Sequence, residues 1–396
     1  MLDWLIIGGG IHGVHLAARL LGEAGVERDA LRIIDPGTRL LERWRVRTEV
    51  TGMSHLRSPA VHHLDIDPWS LKHYATKKKT RKLGRFAPPY ERPALALFNS
   101  HCDEVIDEYQ LDALHLKSRA SRIDLDCDGV TVELATGESL TAQHVVLAMG
   151  SGESPEWPQW APRNDKRVSH VFSTEFSHWP EEKETVLVAG GGISAGQVSL
   201  RLAQEGHRVH LVSRHDLRQH QFDSDPGWLG PKFMAGFTRE DDLEKRRAII
   251  SKARHKGSVP PDVWRALRRG FNDQRISWHQ STIQDVNANE SGLNIQLSEG
   301  GSFTVDRILL ATGFSSKRPG GKMIDELVLS AKLPCSSCGY PIVDEALRWH
   351  PRVHVSGPLA ELELGPSSRN IAGARRAADR LVKSIMTAER LTRKAS

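Results

Sequence analysis

The sequence lacks the features of a disulfide-stabilised or membrane-spanning protein. Its 396 residues include only 4 cysteines, which are too few for a disulfide framework. No apolar run approaches the roughly 20 residues needed to cross a bilayer. The apolar start of the chain also lacks the basic flank and the small-residue cleavage site of a signal peptide. These absences favour a protein of the reducing cytoplasm.

A strong excess of one charge is also absent. The 54 lysines and arginines against 49 aspartates and glutamates leave a formal net charge of +5. Two basic stretches, residues 77–82 and 245–269, do not alternate with aromatic residues as single-stranded nucleic-acid platforms do. We interpret both as solvated surface and expect no nucleic-acid partner. Attraction of an anionic cofactor or substrate is the alternative interpretation.

Glycine, in contrast, recurs at a spacing that predicts a nucleotide site. A short apolar strand at the N-terminus runs into Gly-Gly-Gly-Ile-His-Gly and then into a segment of helical pattern. Gly8 permits the tight turn, Gly10 lets a pyrophosphate approach the backbone, and Gly13 lets the helix pack closely. The next strand ends at Asp35, at a distance along the chain that suits a ribose-binding carboxylate. The alternative is a glycine-rich turn that holds no ligand.

The same plan recurs in the second half of the chain. An apolar strand leads into a second turn that contains Gly190, Gly192 and Ala195. After the following strand, Ser213 and Arg214 stand where the first unit has Asp35. A carboxylate would repel a 2′-phosphate, whereas an arginine with a neighbouring hydroxyl would bind one. We therefore expect FAD at the first turn and NADPH at the second, with an ordinary surface charge as the alternative for Arg214.

We predict an α/β fold with two Rossmann-like dinucleotide-binding domains, one for FAD and one for NADPH, each with a β-meander. Short alternating segments with hairpin turns in each half predict the meanders. The FAD-binding domain is expected to comprise residues 1–155 and 306–396. The NAD(P)H-binding domain, residues 156–305, is inserted between them, after a loop rich in proline, serine and tryptophan.

Further cofactor contacts are expected where strands close each unit and near the C-terminus. The residues concerned are Gly150, Gly313, Gly357 and Asn370. A helix is predicted over residues 371–387, with Ser367 or Ser368 as its N-cap. Its positive end would stabilise a reduced flavin pyrimidine.

The motifs GGGIHG, GGGISAG, ATGF and GPLAELELGPSSRNIAGARRA resemble those of the two-dinucleotide-binding flavoproteins. Among these the chain is most similar to the lysine/ornithine N-monooxygenase-like group, relatives of the flavin-containing monooxygenases. The resemblance implies that NADPH reduces FAD, and that a C4a-hydroperoxyflavin formed with O2 hydroxylates a small amine or other soft nucleophile. The alternative is a reductase or dehydrogenase that passes electrons to a disulfide, a quinone or a protein acceptor. A flavin-binding sensor with little turnover is a third hypothesis, which two complete nucleotide sites disfavour.

The resemblance also implies that residues 53–57 face flavin and substrate, with Met53 at the cofactor. The family usually has glutamine after this methionine and a lysine that holds the substrate carboxylate, where this chain has Ser54 and Arg57. We expect Arg57 to bind an anionic group of the substrate, with Ser54 and His55 beside it in the catalytic site. The alternative for Arg57 is a structural role.

The remaining cysteines and histidines leave several interpretations open. Cys335 and Cys338 have the spacing of a redox pair, but they lie in a loop rich in proline, glycine and serine. A surface loop, a redox role and a metal site are all considered for this pair. Neither His62-His63 with Asp65 nor the other histidines have the spacing of a known metal site, so we predict no metal.

Overall fold

The computed structural model describes residues 1–152, 154–174, 176 and 179–395, with side chains described as far as residue 388. The strands are β1 (Leu2–Ile7), β2 (Leu31–Asp35), β3 (Phe86–Ala87), β4 (Arg92–Pro93), β5 (His115–Lys117), β6 (Ala120–Leu125), β7 (Val130–Leu134), β8 (Ser139–Leu147), β9 (Val168–His170), β10 (Thr185–Ala189), β11 (Arg208–Ser213), β12 (Arg218–Gln219), β13 (Ser258–Val259), β14 (Ile276–Gln280), β15 (Ile283–Asn289), β16 (Gly292–Leu297), β17 (Ser302–Val305), β18 (Arg307–Leu310), β19 (Arg348–His350) and β20 (Val353–Val355). The helices are α1 (Ile11–Gly22), α2 (Glu42–Val50), α3 (Ser70–Thr76), α4 (Leu95–Glu108), α5 (Ile193–Gln204), α6 (Pro231–Thr238), α7 (Leu243–Ala253), α8 (Pro261–Asn272), α9 (Gly321–Ser330), α10 (Glu361–Leu364) and α11 (Ile371–Ala395).

The first sheet has the strand order β19-β20-β8-β1-β2-β5, and β20, β8, β1, β2 and β5 run parallel. Its meander, β6 and β7, joins the sheet through the first half of β8, which pairs antiparallel with β7. The sequence predicts two short segments at 140–144 and 145–148, whereas the structure has the single strand β8. One long strand therefore connects the meander to the parallel sheet.

Alternating side chains of β1 explain why this sheet is covered on both faces. Trp4 and Ile6 belong to the core that includes α1 and α11, whereas Leu5 and Ile7 belong to the core on the opposite face with α9. Successive strand residues point to opposite faces, so a strand buried on both sides must be apolar throughout. The apolar run at the start of the chain is therefore a central strand.

The second sheet is parallel throughout, in the order β14-β11-β10-β18-β9. Val186 and Val188 of β10 pack with α5 and α8, and Leu187 and Ala189 pack toward the meander β15-β16-β17. The predicted boundary between residues 305 and 306 passes just before β18, which pairs in parallel with β10. The second sheet therefore extends to Leu310.

Between β11 and β14 a mainly helical insertion, with α6, α7 and α8, bridges the two units. On one side, Met234, Phe237 and Ile250 of the insertion pack with Tyr340 and Leu362 of the first unit. On the other side, Arg92 forms an ion pair with Asp262 at 3.0 Å. The insertion is thus held to the first unit at both ends.

The C-terminal helix begins at Ile371, as predicted, and runs to Ala395 rather than to residue 387, but its N-cap differs from the prediction. Asn370 Oδ1 accepts a hydrogen bond from Gly373 N at 2.9 Å, so Asn370 caps α11 and the prediction of Ser367 or Ser368 is wrong. Both serines lie instead in a short 3-10 turn before the helix. In the part of the chain that the structure describes, no helix is both long enough and apolar enough to span a membrane.

Candidate functional site

A cleft of about 1540 Å³ lies between the two units, at the carboxyl ends of their parallel strands. Gly8, Gly10 and Asp35 line it from the first unit, and Ile193 and Ser194 at the start of α5 line it from the second. Helix N-termini present unpaired N–H groups at this edge, which suits anionic phosphates. The first predicted site and the start of α5 therefore border one space, whereas the residues predicted for the second site are absent from its lining, namely Gly190, Gly192, Ala195, Ser213 and Arg214.

The first glycine turn leaves no room for side chains where its backbone is folded back. Gly8 has φ +115°, and a Cβ there would lie 2.8 Å from the carbonyl oxygen of Ala148. A Cβ at Gly13 would lie 1.8 Å from the carbonyl oxygen of Gly8. At Gly10, by contrast, no described atom lies within 4 Å of such a Cβ, so the turn is open toward the cleft. The turn is shaped for a ligand that approaches the backbone.

Asp35 organises the floor of this turn. Its Oδ2 accepts a hydrogen bond from Gly9 N and its Oδ1 accepts one from Gly37 N, both at 2.8 Å. The carboxylate remains half-buried on the cleft wall, and each of its oxygens can accept a further hydrogen bond. Asp35 therefore holds the turn in place and still faces a potential ribose.

His12, in the first turn of α1, is a cleft residue that the sequence interpretation passed over. Its Nδ1 lies 2.8 Å from the hydroxyl of Ser356, and its Nε2 is buried with no hydrogen-bond partner among the described residues. Burial lowers the pKa of His12 to about 4, so the ring is neutral at pH 7. Only its position within the glycine motif, between Gly10 and Gly13, could have singled it out.

The second glycine turn is built in the same way but is covered differently. Gly190 has φ +147°, and a Cβ there would lie 2.5 Å from the carbonyl oxygen of Ala311. A Cβ at Gly192 would lie 3.4 Å from the Cα of Gly257, in the helical insertion. Ala195, at the place of Gly13, is buried. The insertion thus runs close over the second turn.

Ser213 ends β11 and Arg214 follows it, but the two residues have different surroundings. The hydroxyl of Ser213 is buried, donates to the carbonyl oxygen of His215 at 2.9 Å and accepts from Trp278 Nε1 at 3.0 Å. Its hydrogen bonds are thus used inside the protein. Arg214 is exposed, so of the two predicted 2′-phosphate contacts only Arg214 presents a donor to solvent.

Within the segment 53–57, one residue lines the cleft and another contacts the helical insertion. Met53 lines the cleft, but Ser54 and His55 are absent from its lining, and Ser54 is exposed. Arg57 donates from Nε to the carbonyl oxygen of Gln221 at 3.0 Å and from Nη2 to that of His220 at 2.7 Å. Both carbonyls belong to the insertion, so this geometry favours the structural alternative for Arg57.

The four remaining predicted contacts also divide. Gly150 and Gly313 line the cleft, and no described atom lies within 4 Å of a Cβ placed at either one. Gly357 lies outside the lining and has φ +66°. A Cβ placed on it would lie 3.6 Å from the imidazole ring of His12. Asn370 is also outside the lining and caps α11. Two of the four therefore face the cleft directly, and two support its wall.

A charged cluster that the sequence did not reveal forms part of the cleft wall. Glu361 is buried and binds Arg369 through two hydrogen bonds of 2.5 and 2.7 Å, and it also pairs with Arg247 of α7. Burial disfavours the carboxylate, but the two arginines outweigh it and lower the pKa of Glu361. The guanidinium of Arg247 lies over the ring of Tyr340, 3.9 Å from its centroid. Arg247 and Glu361 are over one hundred residues apart, so no local pattern predicts the pair.

Of the two cysteines at redox spacing, Cys338 reaches the cleft and Cys335 does not line it. Burial opposes ionisation of Cys338, but the Ser336 hydroxyl at 3.1 Å, the Tyr340 backbone and Arg247 together lower its pKa. Burial raises the pKa of Cys335. The surface-loop interpretation therefore accounts for Cys335 better than for Cys338.

Metal ligation finds no geometric support in the described ranges. No group of three or more histidine, cysteine, aspartate or glutamate side chains is arranged there to hold an ion. His63 is buried and bonds the carbonyl oxygen of Pro68 at 3.1 Å.

Comparison with known proteins assigns this chain to a protein family. Residues 5–245 match the family described as pyridine nucleotide-disulphide oxidoreductase. The fold is similar to that of an ornithine N-hydroxylase from Kutzneria sp. 744, with a TM-score of 0.77 and 16% identity over 98% of this chain and 100% of that one. It is also similar to a bacillithiol disulfide reductase from Bacillus cereus, with a TM-score of 0.64 and 16% identity over 98% of this chain and 99% of that one.

A curated sequence, squalene epoxidase 4 from Arabidopsis thaliana, is 29% identical over 133 residues, which are 29% of this chain. That match spans only 26% of the plant protein. The structures, at their low identities, show the shared fold, which has two dinucleotide-binding domains. From the family match over more than half of its length, the chain belongs to the pyridine nucleotide-disulphide oxidoreductase family and is a flavin-dependent enzyme that works with a pyridine nucleotide.

Proposed function

We propose that this protein is an FAD-dependent, NADPH-consuming monooxygenase that hydroxylates a small amine or another soft nucleophile. The observation that carries the proposal is one cleft bordered both by the first glycine turn and by Ile193 and Ser194, which directly follow the glycines of the second turn. Two dinucleotides bound at these turns would meet between the units, beneath the helical insertion. Bound FAD would supply hydride acceptance and O2 activation, and the protein supplies binding, orientation and exclusion of water.

The first unit is assigned to FAD on its fit to a dinucleotide. Gly10 is open to the cleft, and a Cβ at Gly8 or Gly13 would clash with backbone. Asp35 lies on the same wall with acceptor capacity to spare. Residues 1–155 with the C-terminal part of the chain would therefore hold FAD, and the inserted unit would hold NADPH.

The second unit is assigned to NADPH on three features. The start of α5 points into the cleft, where Gln197 Oε1 is buried without a hydrogen-bond partner among the described residues. Such an acceptor gains free energy from a ligand donor, for example a carboxamide. Arg214 is exposed at the end of β11, with no carboxylate at that position to repel a 2′-phosphate.

The type of reaction is inferred from the similarity of this fold to a solved structure. A solved structure similar over nearly the whole chain is described as an ornithine N-hydroxylase, and that supports oxygen insertion at nitrogen. The insertion, residues 244–257 of which line part of the cleft, would help to keep water from the reacting atoms.

An isotope experiment tests this proposal. The FAD-loaded protein would be supplied with NADPH, 18O2 and a panel of primary amines, and the products would be analysed by mass spectrometry. We expect one labelled oxygen atom in the product of at least one amine. Hydrogen peroxide as the only product from oxygen, across the panel, would refute the monooxygenase proposal.

A second candidate function has its own observation. Cys338 lines the cleft with a lowered pKa, and a bacillithiol disulfide reductase shares the fold. A reductase would use NADPH and a proton to convert one disulfide into two thiols. The test compares NADPH consumption with cystine and glutathione disulfide in the native protein, in Cys338→Ser and in Cys127→Ser, an exposed cysteine away from the cleft lining. Disulfide-dependent consumption that only Cys338→Ser abolishes would favour the reductase, and its absence in the native protein would eliminate it.

A further inference from the structure

Helix α2 connects the two units along the cleft. Trp44, near its start, packs against the core of the first unit, whereas Val50, its last residue, packs against the core of the second. One face of the helix lies along the cleft, which it lines with Arg43, Trp44, Arg47, Thr48 and Thr51. The carboxyl end of α2 is therefore docked on the second unit.

Arg201 of α5 caps this end of α2 from the second unit. Its Nη1 donates to the carbonyl oxygens of Glu49 at 3.0 Å and of Val50 at 3.1 Å. The last carbonyls of a helix have no partner within the helix and form its negative end, so a cation stabilises them. Gly52 has φ +65°, and a Cβ placed on it would lie 3.3 Å from Cδ of Arg201. The backbone that leaves α2 thus turns closely against this arginine.

The side chain of Arg201 is oriented by two neighbours. Its Nε donates to Glu205 Oε1 at 2.9 Å, and its guanidinium carbon lies 4.0 Å from the ring centroid of Trp179. Trp179 Nε1 donates to the other oxygen of Glu205 at 2.5 Å. A guanidinium oriented by a carboxylate and an aromatic ring loses little side-chain entropy when it bonds the carbonyls. Arg201 is therefore a preorganised cap.

The contact between Arg201 and α2 joins the segments that border the cleft in each unit. Arg201 lies about two turns after Ile193, where α5 begins at the second glycine turn and lines the cleft. The capped end of α2 leads to Met53, which lines the cleft and donates from its backbone N to the carbonyl oxygen of Thr48 at 3.1 Å. Arg57, by contrast, bonds the insertion. The position of α5 relative to the Met53 segment thus depends on Arg201.

We propose that Arg201 is a positioning residue for hydride transfer from the pyridine nucleotide to FAD. The hydride leaves C4 of NADPH with both bonding electrons and joins N5 of FAD, which gives NADP+ and reduced FAD. Such a transfer needs reacting atoms about 3–3.5 Å apart, and a displacement of about 1 Å can cost on the order of a hundredfold in rate.

Arg201 is outside the cleft lining, so it acts through the backbone of α2 and not through contact with a ligand. By fixing α5 against the end of α2, it sets the distance between the two bound dinucleotides. The proposal rests on the proposed function in placing FAD at the first turn and NADPH at the second.

The test follows flavin reduction without oxygen. FAD-loaded protein would be mixed anaerobically with NADPH, or with NADPH that carries deuterium at both C4 positions, and the loss of oxidised-flavin absorbance would be recorded. Arg201→Gln removes the charge of the cap, and Arg201→Lys keeps it. Arg348→Gln is the matched control, because Arg348 also pairs with an acid four residues away, Asp344 at 2.7 Å, but is exposed in the first unit and outside the cleft lining. Bound FAD and the Kd of NADP+ are measured for each variant.

We expect Arg201→Gln to lower the limiting rate of flavin reduction by about tenfold or more. The slowed reaction should keep a deuterium isotope effect, which shows that hydride transfer is the step affected. Bound FAD and the Kd of NADP+ should not change, because Arg201 contacts neither ligand. Arg201→Lys should recover part of the rate, and Arg348→Gln should behave as the native protein.

An unchanged limiting rate in Arg201→Gln would overturn the proposal. So would a slower rate without an isotope effect, or a slower rate accompanied by loss of FAD or by weaker binding of NADP+. Because neither O2 nor an amine is present, a failed oxygen-insertion test leaves these outcomes intact. A native protein whose flavin is reduced by neither NADPH nor NADH would refute the proposed function and this proposal together.

Discussion

The two glycine turns have the same plan, yet they differ in how closely the helix approaches the strand and in the residues that come after the second strand. In the first unit the helix carries Gly13, where any Cβ would meet the Gly8 carbonyl oxygen at 1.8 Å. In the second unit the same place holds Ala195, whose methyl group is accommodated in the core. Asp35 ends the second strand of the first unit, whereas Ser213 and Arg214 stand at the end of the corresponding strand in the second.

The difference shows how one plan is adapted to two ligands. In the first unit, an acidic side chain both braces the turn and faces the cleft. In the second, the buried hydroxyl of Ser213 bonds the carbonyl oxygen of His215 and Trp278 Nε1 rather than the turn, and Arg214 is exposed. The acid of the first unit thus contacts its turn directly, whereas no side chain at the end of β11 is seen to do so in the described residues.

The largest effect should come from Gly13→Ala, because the added methyl group would clash with backbone rather than with a flexible side chain. We expect loss of bound FAD and a clear fall in the melting temperature. Ala195→Gly is the matched control in the second unit and should retain FAD. The flavin-to-protein absorbance ratio and thermal unfolding measure both, and a fully loaded Gly13→Ala protein would contradict the proposed role of the first turn.

Arg214→Gln tests the nucleotide preference of the second unit. Loss of a charged hydrogen bond to the 2′-phosphate should raise the KM for NADPH by about 10- to 100-fold and leave the KM for NADH nearly unchanged. Arg208→Gln, an exposed arginine at the opposite end of β11, should alter neither constant. Parallel changes for NADPH and NADH in Arg214→Gln would rule out a 2′-phosphate contact.

Asp35→Asn should have a smaller effect on the first unit. The amide keeps one oxygen to accept from a turn N–H but loses the charge and one acceptor, so FAD affinity should fall by about tenfold. NADPH affinity should remain unchanged. Equilibrium titration of the apoprotein with FAD, followed by flavin fluorescence, gives the value. A matching loss for both dinucleotides would show a general loss of structure instead.

The smallest effect concerns His12, which has Ser194 as its counterpart in the second unit. Its folded pKa is about 4, below the usual 6.5, so between these values the unfolded chain binds more protons than the folded one. The free energy of unfolding should therefore fall as pH drops from 6.5 toward 4 and be insensitive to His12 above 6.5. His12→Gln should make this fall shallower in urea unfolding of the apoprotein at pH 7.5 and 5. An unchanged slope would show that His12 is not buried in its neutral form.

Much of the fold could be predicted because the signals are local. Apolar or alternating runs between turn residues predict strands at 120–125, 130–134 and 185–189, and the structure has strands with these bounds. Helix caps were harder to predict from the sequence. Two serines and an asparagine all suit an N-cap, and only the backbone path decides that Asn370 takes that position.

The candidate site was only partly predictable, because local sequence patterns do not specify which distant side chains meet. Gly8, Gly10, Asp35, Met53, Gly150 and Gly313 were expected at the cofactor and do line the cleft. Arg57 was expected at the substrate from its place in a motif, yet packing against the insertion engages its donors elsewhere. Arg247 lies in a basic stretch and Cys338 in a pair with redox spacing, so the sequence offered a functional alternative for each, but nothing in their local context showed that they would line the cleft.

By itself, the sequence determined that there are two strand, turn and helix units, their order, and that one ends in an acid and the other in an arginine. These properties depend on neighbouring residues, through the steric limits of a glycine turn and the alternation of a buried strand. The tertiary structure alone decided which side chains share the cleft. Bringing Arg247 to Glu361 and Cys338, and turning Arg57 away, depends on how the insertion packs against the first unit, which is a sum of distant contacts that no local pattern encodes.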